Sequence, residues 1–184
     1  LSLQYPAVEL AVALIWAAML VKWGLTPEAL RGSVLLTILL GIAVTDAKTY
    51  IIPDEFSLGG AVLGLAMSLL PGGVTFLQSL AGGALGFGLL WAVAILGKLA
   101  FKKDAMGGGD VKMMAMVGAF LGSAGVLLTL FVGSLVGSAI FGPISWKTGK
   151  LVPFGIFLGV GGAVAYLWGP DLIDWYLVRV LGIA

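Results

Sequence analysis

The sequence predicts an all-α polytopic membrane protein, with about seven transmembrane helices and a short C-terminal interfacial helix. Three observations carry that prediction. Sixty per cent of the 184 residues are apolar, and the mean hydropathy is +1.13. Only 10% of residues are charged, against about a quarter in soluble domains. The apolar runs are long, continuous and rich in Leu, Ala and Gly, without the alternating polarity that membrane strands require.

Taken in order, Tyr5 to Val21 is apolar except for Glu9 and reads as the first span. Thr26-Pro27-Glu28 then reads as a helix start, with a Thr cap, Pro at the first position and an acid in the first turn. That second helix is expected to run to about Asp46. Phe56 to Gly97 holds no charge over 42 residues, twice the roughly 20 needed for one crossing. Pro71-Gly72-Gly73 near its middle marks a turn, so the stretch reads as a helical hairpin. Met113 to Trp146 is uncharged for 34 residues and contains Gly122-Ser123-Ala124-Gly125, which predicts two short helices instead of one long one. Leu151 to Pro170 supplies the seventh span. Asp171 to Ala184, opening at Gly169-Pro170, is expected to lie along the membrane surface.

Charge placement orients the bundle. If the N-terminus starts in the cytoplasm, the loops on that side carry Lys48, Lys98, Lys102, Lys103, Lys112, Lys147 and Lys150, while only Lys22, Arg31 and Arg179 fall opposite. Seven basic residues against three obeys the positive-inside rule. A net charge of +1 without a basic cluster gives no support for nucleic-acid binding. The absence of Cys and His excludes disulfides, thiolate metal sites and every Ser-His or Cys-His nucleophile arrangement. The chain begins with Leu, so residue 1 is expected not to be the natural start, and the first helix lacks the basic leading region of a cleavable signal peptide. The 29 glycines recur four apart, as in Gly82 to Gly86 and Gly155 to Gly162, which predicts close helix packing.

Acid chemistry is nearly all that remains. Asp46, in Thr45-Asp46-Ala47-Lys48, and Asp110, in Gly107-Gly108-Gly109-Asp110-Val111-Lys112, stand at the edges of apolar segments, where a carboxylate is costly. The two spans between them return both to the same, cytoplasmic face. A Gly-x-Gly-Asp string is expected by chance about 0.15 times in a chain this rich in glycine, so context must carry it. The glycines are expected to adopt backbone conformations closed to other residues and to admit an extended peptide near Asp110. The alternative is a flexible loop whose Asp caps the next helix. Asp46 lies at a helix C-terminus, which disfavours an acid and hints at a use. Asp54, after Pro53, is explained as an N-cap. Lys48 and Lys112 each follow an acid by two residues, roughly 200° around a helix, and are expected to snorkel at the membrane edge or to attract acidic groups. Glu9 has an intramembrane location that makes it a functional candidate or a residue reaching water, and Pro153-Phe154-Gly155 reads as a helix start. Two close carboxylates in a poorly solvated site share a proton, so one serves as base and the other as acid against an amide, with no metal.

In four segments the chain resembles the type IV prepilin peptidases, membrane-embedded aspartyl proteases. Tyr5-Pro6-Ala7-Val8-Glu9 is similar to the start of their catalytic membrane portion. Thr45-Asp46 with Ile52-Pro53-Asp54, and Gly107 to Lys112, are similar to the segments holding the two catalytic acids. Leu151-Val152-Pro153-Phe154-Gly155 is similar to a late Pro-Phe-Gly stretch. The resemblance implies one membrane-embedded peptidase domain over residues 1–184, with Asp46 and Asp110 as the dyad. It implies leader removal from prepilins or pseudopilins at a bacterial cytoplasmic membrane, and no cofactor for proteolysis. In many such proteins S-adenosylmethionine also serves N-methylation, and a cysteine-rich zinc domain precedes the Tyr-Pro segment. No Cys is present here, which leaves zinc unsupported and methylation open. Two other readings stand beside it. One is a presenilin-like intramembrane aspartyl protease, whose Tyr-Asp and Pro-Ala-Leu motifs are lacking. The other is a transporter or scaffold, whose acids would lie along a pathway crossing the membrane.

Overall fold

A computed structural model describes residues 4–102, 106–148 and 153–182. Lys103, Lys150, Leu151 and Val152 of the predicted features lie outside the described residues. Those described form six helices and no strand: α1 (Gln4–Trp23), α2 (Pro27–Thr49), α3 (Asp54–Met67), α4 (Phe76–Phe101), α5 (Gly108–Thr148) and α6 (Phe154–Trp175), with a π-helical turn at Tyr176–Val180. Five helices, all but α3, are long and apolar enough to cross a membrane. The protein is therefore a multi-pass helical membrane protein. α3 has 14 residues and a length of roughly 21 Å, short of a hydrocarbon core of about 30 Å.

Local signals start and stop these helices. Thr26 accepts from Ala29 N–H at 3.3 Å, with Pro27 at the first position of α2. Pro71-Gly72-Gly73 makes the predicted turn, and both glycines have the left-handed φ that other residues resist, 76° and 74°. Thr75 and Gln78 then form a reciprocal capping box at the start of α4.

α5 is interrupted at Gly122 (φ 68°, ψ −174°). A Cβ added at Gly86 of α4 would overlap the Met114 carbonyl and lie 3.3 Å from Val126 Cγ2. In a straight helix Met114 and Val126 would be about 18 Å apart, so the chain reverses at Gly122 into two arms, 108–121 and 123–148. Gly125, which would meet the Leu121 side chain through its own Cβ, allows this tight reversal. The predicted break within Met113 to Trp146 is therefore real, and counting the arms separately gives seven helical segments. One expectation differs. Gly169-Pro170 does not end α6, which runs through Pro170 to Trp175 and on into the π turn. Losing one N–H at Pro170 is tolerated in a helix whose flanks remain hydrogen-bonded. Asp171 to Val180 thus continues α6 and does not form a separate surface helix.

The first arm of α5 is the hub. Met113, Met114, Met116 and Val117 are all 0% exposed, and α3, α4 and α6 pack around it. α1 touches chiefly α2 and stays largely exposed. Glycine sets the closest approaches: a Cβ at Gly82 would overlap the Gly118 carbonyl and sit 2.6 Å from Gly122 Cα, and Gly161 lies against Thr129 and Gly133 in the same way. Backbone cannot yield as a side-chain tip can, so Gly82→Ala is expected to push α4 from α5 and cost about 1–3 kcal/mol by overpacking. Thermal unfolding in detergent checks this, with Gly88→Ala, which meets nothing within 4 Å, as the neutral comparison.

Candidate active site

The ends of α2 and α4 and the starts of α3, α5 and α6 gather at one end of the bundle. Asp46 lies four residues before the left-handed cap Tyr50 (φ 54°), whose N–H donates to the Asp46 carbonyl at 3.0 Å. Asp46 is 5% exposed. As an acid near the C-terminus of its own helix it meets an unfavourable dipole, which the start of α6 offsets. The Gly155 and Ile156 amides there donate to its carboxylate. Asp46 Oδ2 is buried without a hydrogen-bond partner among protein atoms, and it touches Gly155, where a Cβ would come within 2.8 Å.

Asp110 is half-buried as the third residue of α5 and accepts from the Gly107 amide. That is the return half of a capping box, so Asp110 caps its own helix. It also lies within electrostatic reach of Asp46. Two acids 64 residues apart in sequence are thus brought together.

Ile52 joins the two sides. It is 8% exposed. Its Cβ lies 2.9 Å from where a Gly109 Cβ would fall, and its Cδ1 lies 2.9 Å from the Cβ position of Gly155. This side chain sets the spacing between the starts of α5 and α6.

The remaining candidates divide. Gly107, Gly108 and Gly109 do not take left-handed φ, which corrects the expectation of unusual backbone there. Gly109 is required by its contact with Ile52, whereas Gly108 has open space around it. Pro53, not Asp54, is the N-cap of α3, and no side-chain cap bond forms. Asp54 instead receives Lys112 Nζ at 2.7 and 2.9 Å, tying α3 to α5 beside the acids and correcting both the capping role of Asp54 and the free snorkelling of Lys112. The pair is exposed, so Lys112→Gln is expected to cost at most about 1 kcal/mol of stability, measurable as a small fall in Tm. Pro153 precedes α6 and starts it in place, as predicted. Glu9 is exposed on α1 and lines a groove of about 470 Å³ with Tyr5, Val44 and Lys48. Val44 and Lys48 lie on the side of α2 turned from Asp46, so Glu9 is not brought to the acids. Thr45 returns its hydroxyl to the Gly41 and Ile42 carbonyls, both at 3.0 Å.

Sequence reasoning missed Gly155 and Ile52 as parts of this site. The Pro-Phe-Gly stretch contained the first signal, but its proximity to Asp46 is tertiary. Among the described residues no group of three or more acids gathers to hold a metal. The arrangement can place a carboxylate and a carboxylic acid on either side of one water and one amide.

Fold and site define a polytopic helical membrane protein with paired aspartates at one end of the bundle. The chain belongs to the type IV leader peptidase family, whose model matches residues 33–142. Similar proteins include the prepilin leader peptidase/N-methyltransferase of Xanthomonas campestris pv. campestris, 34% identical over 96% of this chain and 63% of the relative. The one of Aeromonas salmonicida is 35% identical over 98% of this chain and 64% of its own length. That of Bacillus subtilis is 30% identical over 99% and 73%. The chain therefore spans less than two thirds of the first two relatives' lengths. No solved structure matches it.

Proposed function

We propose that this chain is an intramembrane aspartyl endopeptidase that removes the leader of prepilins or pseudopilins, with Asp46 and Asp110 as its catalytic pair and residues 1–184 as one membrane-embedded peptidase domain. The observation that carries this reading is the approach of the two acids at one end of the bundle, one of them with a buried oxygen free of protein partners. The names of the relatives supply the substrate class.

Hydrolysis follows from the pair. One aspartate, as carboxylate, takes a proton from a water whose oxygen attacks the scissile carbonyl carbon. The other, protonated, polarises the carbonyl oxygen. The tetrahedral intermediate then collapses, the C–N bond breaks and the nitrogen leaves with a proton returned from the dyad. The Gly155 and Ile156 amides hold Asp46 in place throughout.

The end carrying Lys48, Lys98, Lys102 and Lys112 faces the cytoplasm under the positive-inside rule, which would put cleavage on that side of a bacterial inner membrane. Methylation of the new N-terminus would need S-adenosylmethionine, and the relatives' names give that second activity a basis. The gathering of the acids at one end favours the peptidase over a transporter, which needs them along a crossing pathway. Incubation of a prepilin-like substrate with the unmodified chain in membranes, followed by mass mapping of the products, tests this function. A single cut at the leader junction is expected, and an intact substrate under folded enzyme would refute it.

A further inference from the structure

Between α2 and α3, residues 51–53 form no helix or turn. Tyr50, left-handed at φ 54°, turns the chain out of α2, and Pro53 (φ −62°, ψ 142°) leads it into α3. Ile51 and Ile52 are β-branched and favour extended backbone, and clash with the following proline ring holds Ile52 there. Ile52 is buried, its side chain wedged between Gly109 and Gly155. Ile51 is 63% exposed, beside Tyr50 at 58%.

The backbone of Ile51 is unpaired. Among the described residues neither its N–H nor its C=O makes a hydrogen bond, although the Tyr50 N–H and the Pro53 C=O on either side are both bonded. In extended chain the N–H and C=O of one residue point to the same side, and those of the next residue to the other. Ile51 therefore presents a donor and an acceptor together on an exposed residue, as the open edge of a strand does. Pro53 has no N–H, and its C=O accepts from the Phe56 and Ser57 amides, so this edge is one residue long.

Its position argues for what covers it. Ile52 touches both Gly109, next to Asp110, and Gly155, against Asp46. Ile51 thus stands one residue, about 3.8 Å along the chain, from the contact that joins the two acids. A strand paired with it would run about 4.8 Å to its side. The adjoining start of α5 is uncrowded: Gly107 and Gly108 are exposed, and a Cβ at Gly108 would meet nothing within 4 Å. A peptide bond held between two carboxylates needs extended chain on either side, since a helix keeps each carbonyl bonded to an amide four residues on. We propose that the substrate docks by strand addition, one residue beside its scissile bond forming an antiparallel pair with Ile51: its N–H donates to the Ile51 carbonyl and its carbonyl accepts from the Ile51 N–H. Such a grip holds the substrate backbone whatever side chains it carries. The proposal rests on the peptidase reading.

The test replaces the Ile51 N–H by an ester oxygen in the full chain, through incorporation of the α-hydroxy analogue of isoleucine, and follows cleavage of a prepilin-like substrate in membranes. The value of kcat/KM is expected to fall about tenfold, the upper part of what one hydrogen bond contributes. Tm is expected to stay at the parental value, because that N–H has no partner in the free protein. The same chemistry at Leu25, 96% exposed before α2 at its opposite end, is expected to leave cleavage unchanged. Ester substitution along the substrate is expected to slow cleavage by the parent at one position beside the scissile bond and not at that position's two neighbours. A parental rate for the Ile51 ester, or a flat scan of the substrate, would overturn the proposal. Hydrogen exchange of residues 50–52 in Asp46→Asn reads binding apart from cleavage. Exchange that slows on adding the substrate supports the pairing, and exchange unchanged by saturating substrate overturns it. Failure of the unmodified chain to cleave would instead refute the peptidase reading, with the exchange measurement still deciding the pairing.

Discussion

Asp46→Asn and Asp110→Asn are each expected to reduce leader cleavage by about 10²–10⁴-fold, the range that positioned acid–base groups contribute. Asn keeps the size and most hydrogen-bonding capacity of Asp but neither donates nor accepts a proton at neutral pH. At position 46 the Gly155 and Ile156 amides retain an oxygen to donate to, and at position 110 the Gly107 amide does. Both variants are therefore expected to fold, with Tm close to that of the parent, and to lose kcat while KM is largely unchanged. The Lys112–Asp54 pair next to them sets the comparison. Asp54→Asn removes an exposed ion pair and is expected to keep cleavage within a few-fold of the parent, on the order of the small energies of surface pairs. Rates measured on folded, detergent-purified variants separate these outcomes.

Gly155→Ala is the second change with a large expected effect. The added Cβ would stand 2.8 Å from Asp46 Oδ2 and 2.9 Å from Ile52 Cδ1. Both neighbours are side-chain tips, so the fold can absorb the methyl by rotating them. Asp46 then leaves its place in front of the α6 amides. A misplacement of about 1 Å at a reacting group costs on the order of 10²-fold in rate, so kcat is expected to fall by that much with little change in Tm. On this expectation Gly155 would be a positioning residue. Combining it with Ile52→Val, which removes Cδ1 and opens one side of the contact, is expected to restore part of the lost rate. A variant that only loosened the helix would not be rescued in this way. Parental cleavage by Gly155→Ala would show that the α6 start does not place Asp46.

Helix starts and turns were legible because they are local. Thr26-Pro27, Pro71-Gly72-Gly73 and the Gly122 to Gly125 cluster each impose backbone geometry that their own residues dictate, and the structure shows each where it was expected. The break anticipated at Gly169-Pro170 did not follow, because a proline removes only one amide and α6 carries through it. The acids were visible because charge is rare in this chain. Their approach was inferred from the number of crossings between them. What surrounds them was not visible. Asp54 looked like a cap because it opens a helix, but its partner Lys112 is 58 residues away. Gly109 looked like a source of backbone freedom, but its real constraint is the Ile52 side chain. Gly155 sits in a stretch that resembles a family motif, yet only packing of α6 on α2 reveals that its missing Cβ makes room for a carboxylate. Arg31 read as one of few charges on the opposite face, and nothing in its neighbours announced a buried clamp on α3.

The central claim is that Asp46 and Asp110 act as one unit on one water. Cleavage rates of the parent, Asp46→Asn, Asp110→Asn and the double variant, measured on a prepilin-like substrate under single-turnover conditions, test it most directly. If the two acids form one unit, the double variant is no slower than the slower single variant, since either loss already dismantles the pair. Losses that multiply in the double variant, or a single variant that cleaves like the parent, would contradict the claim.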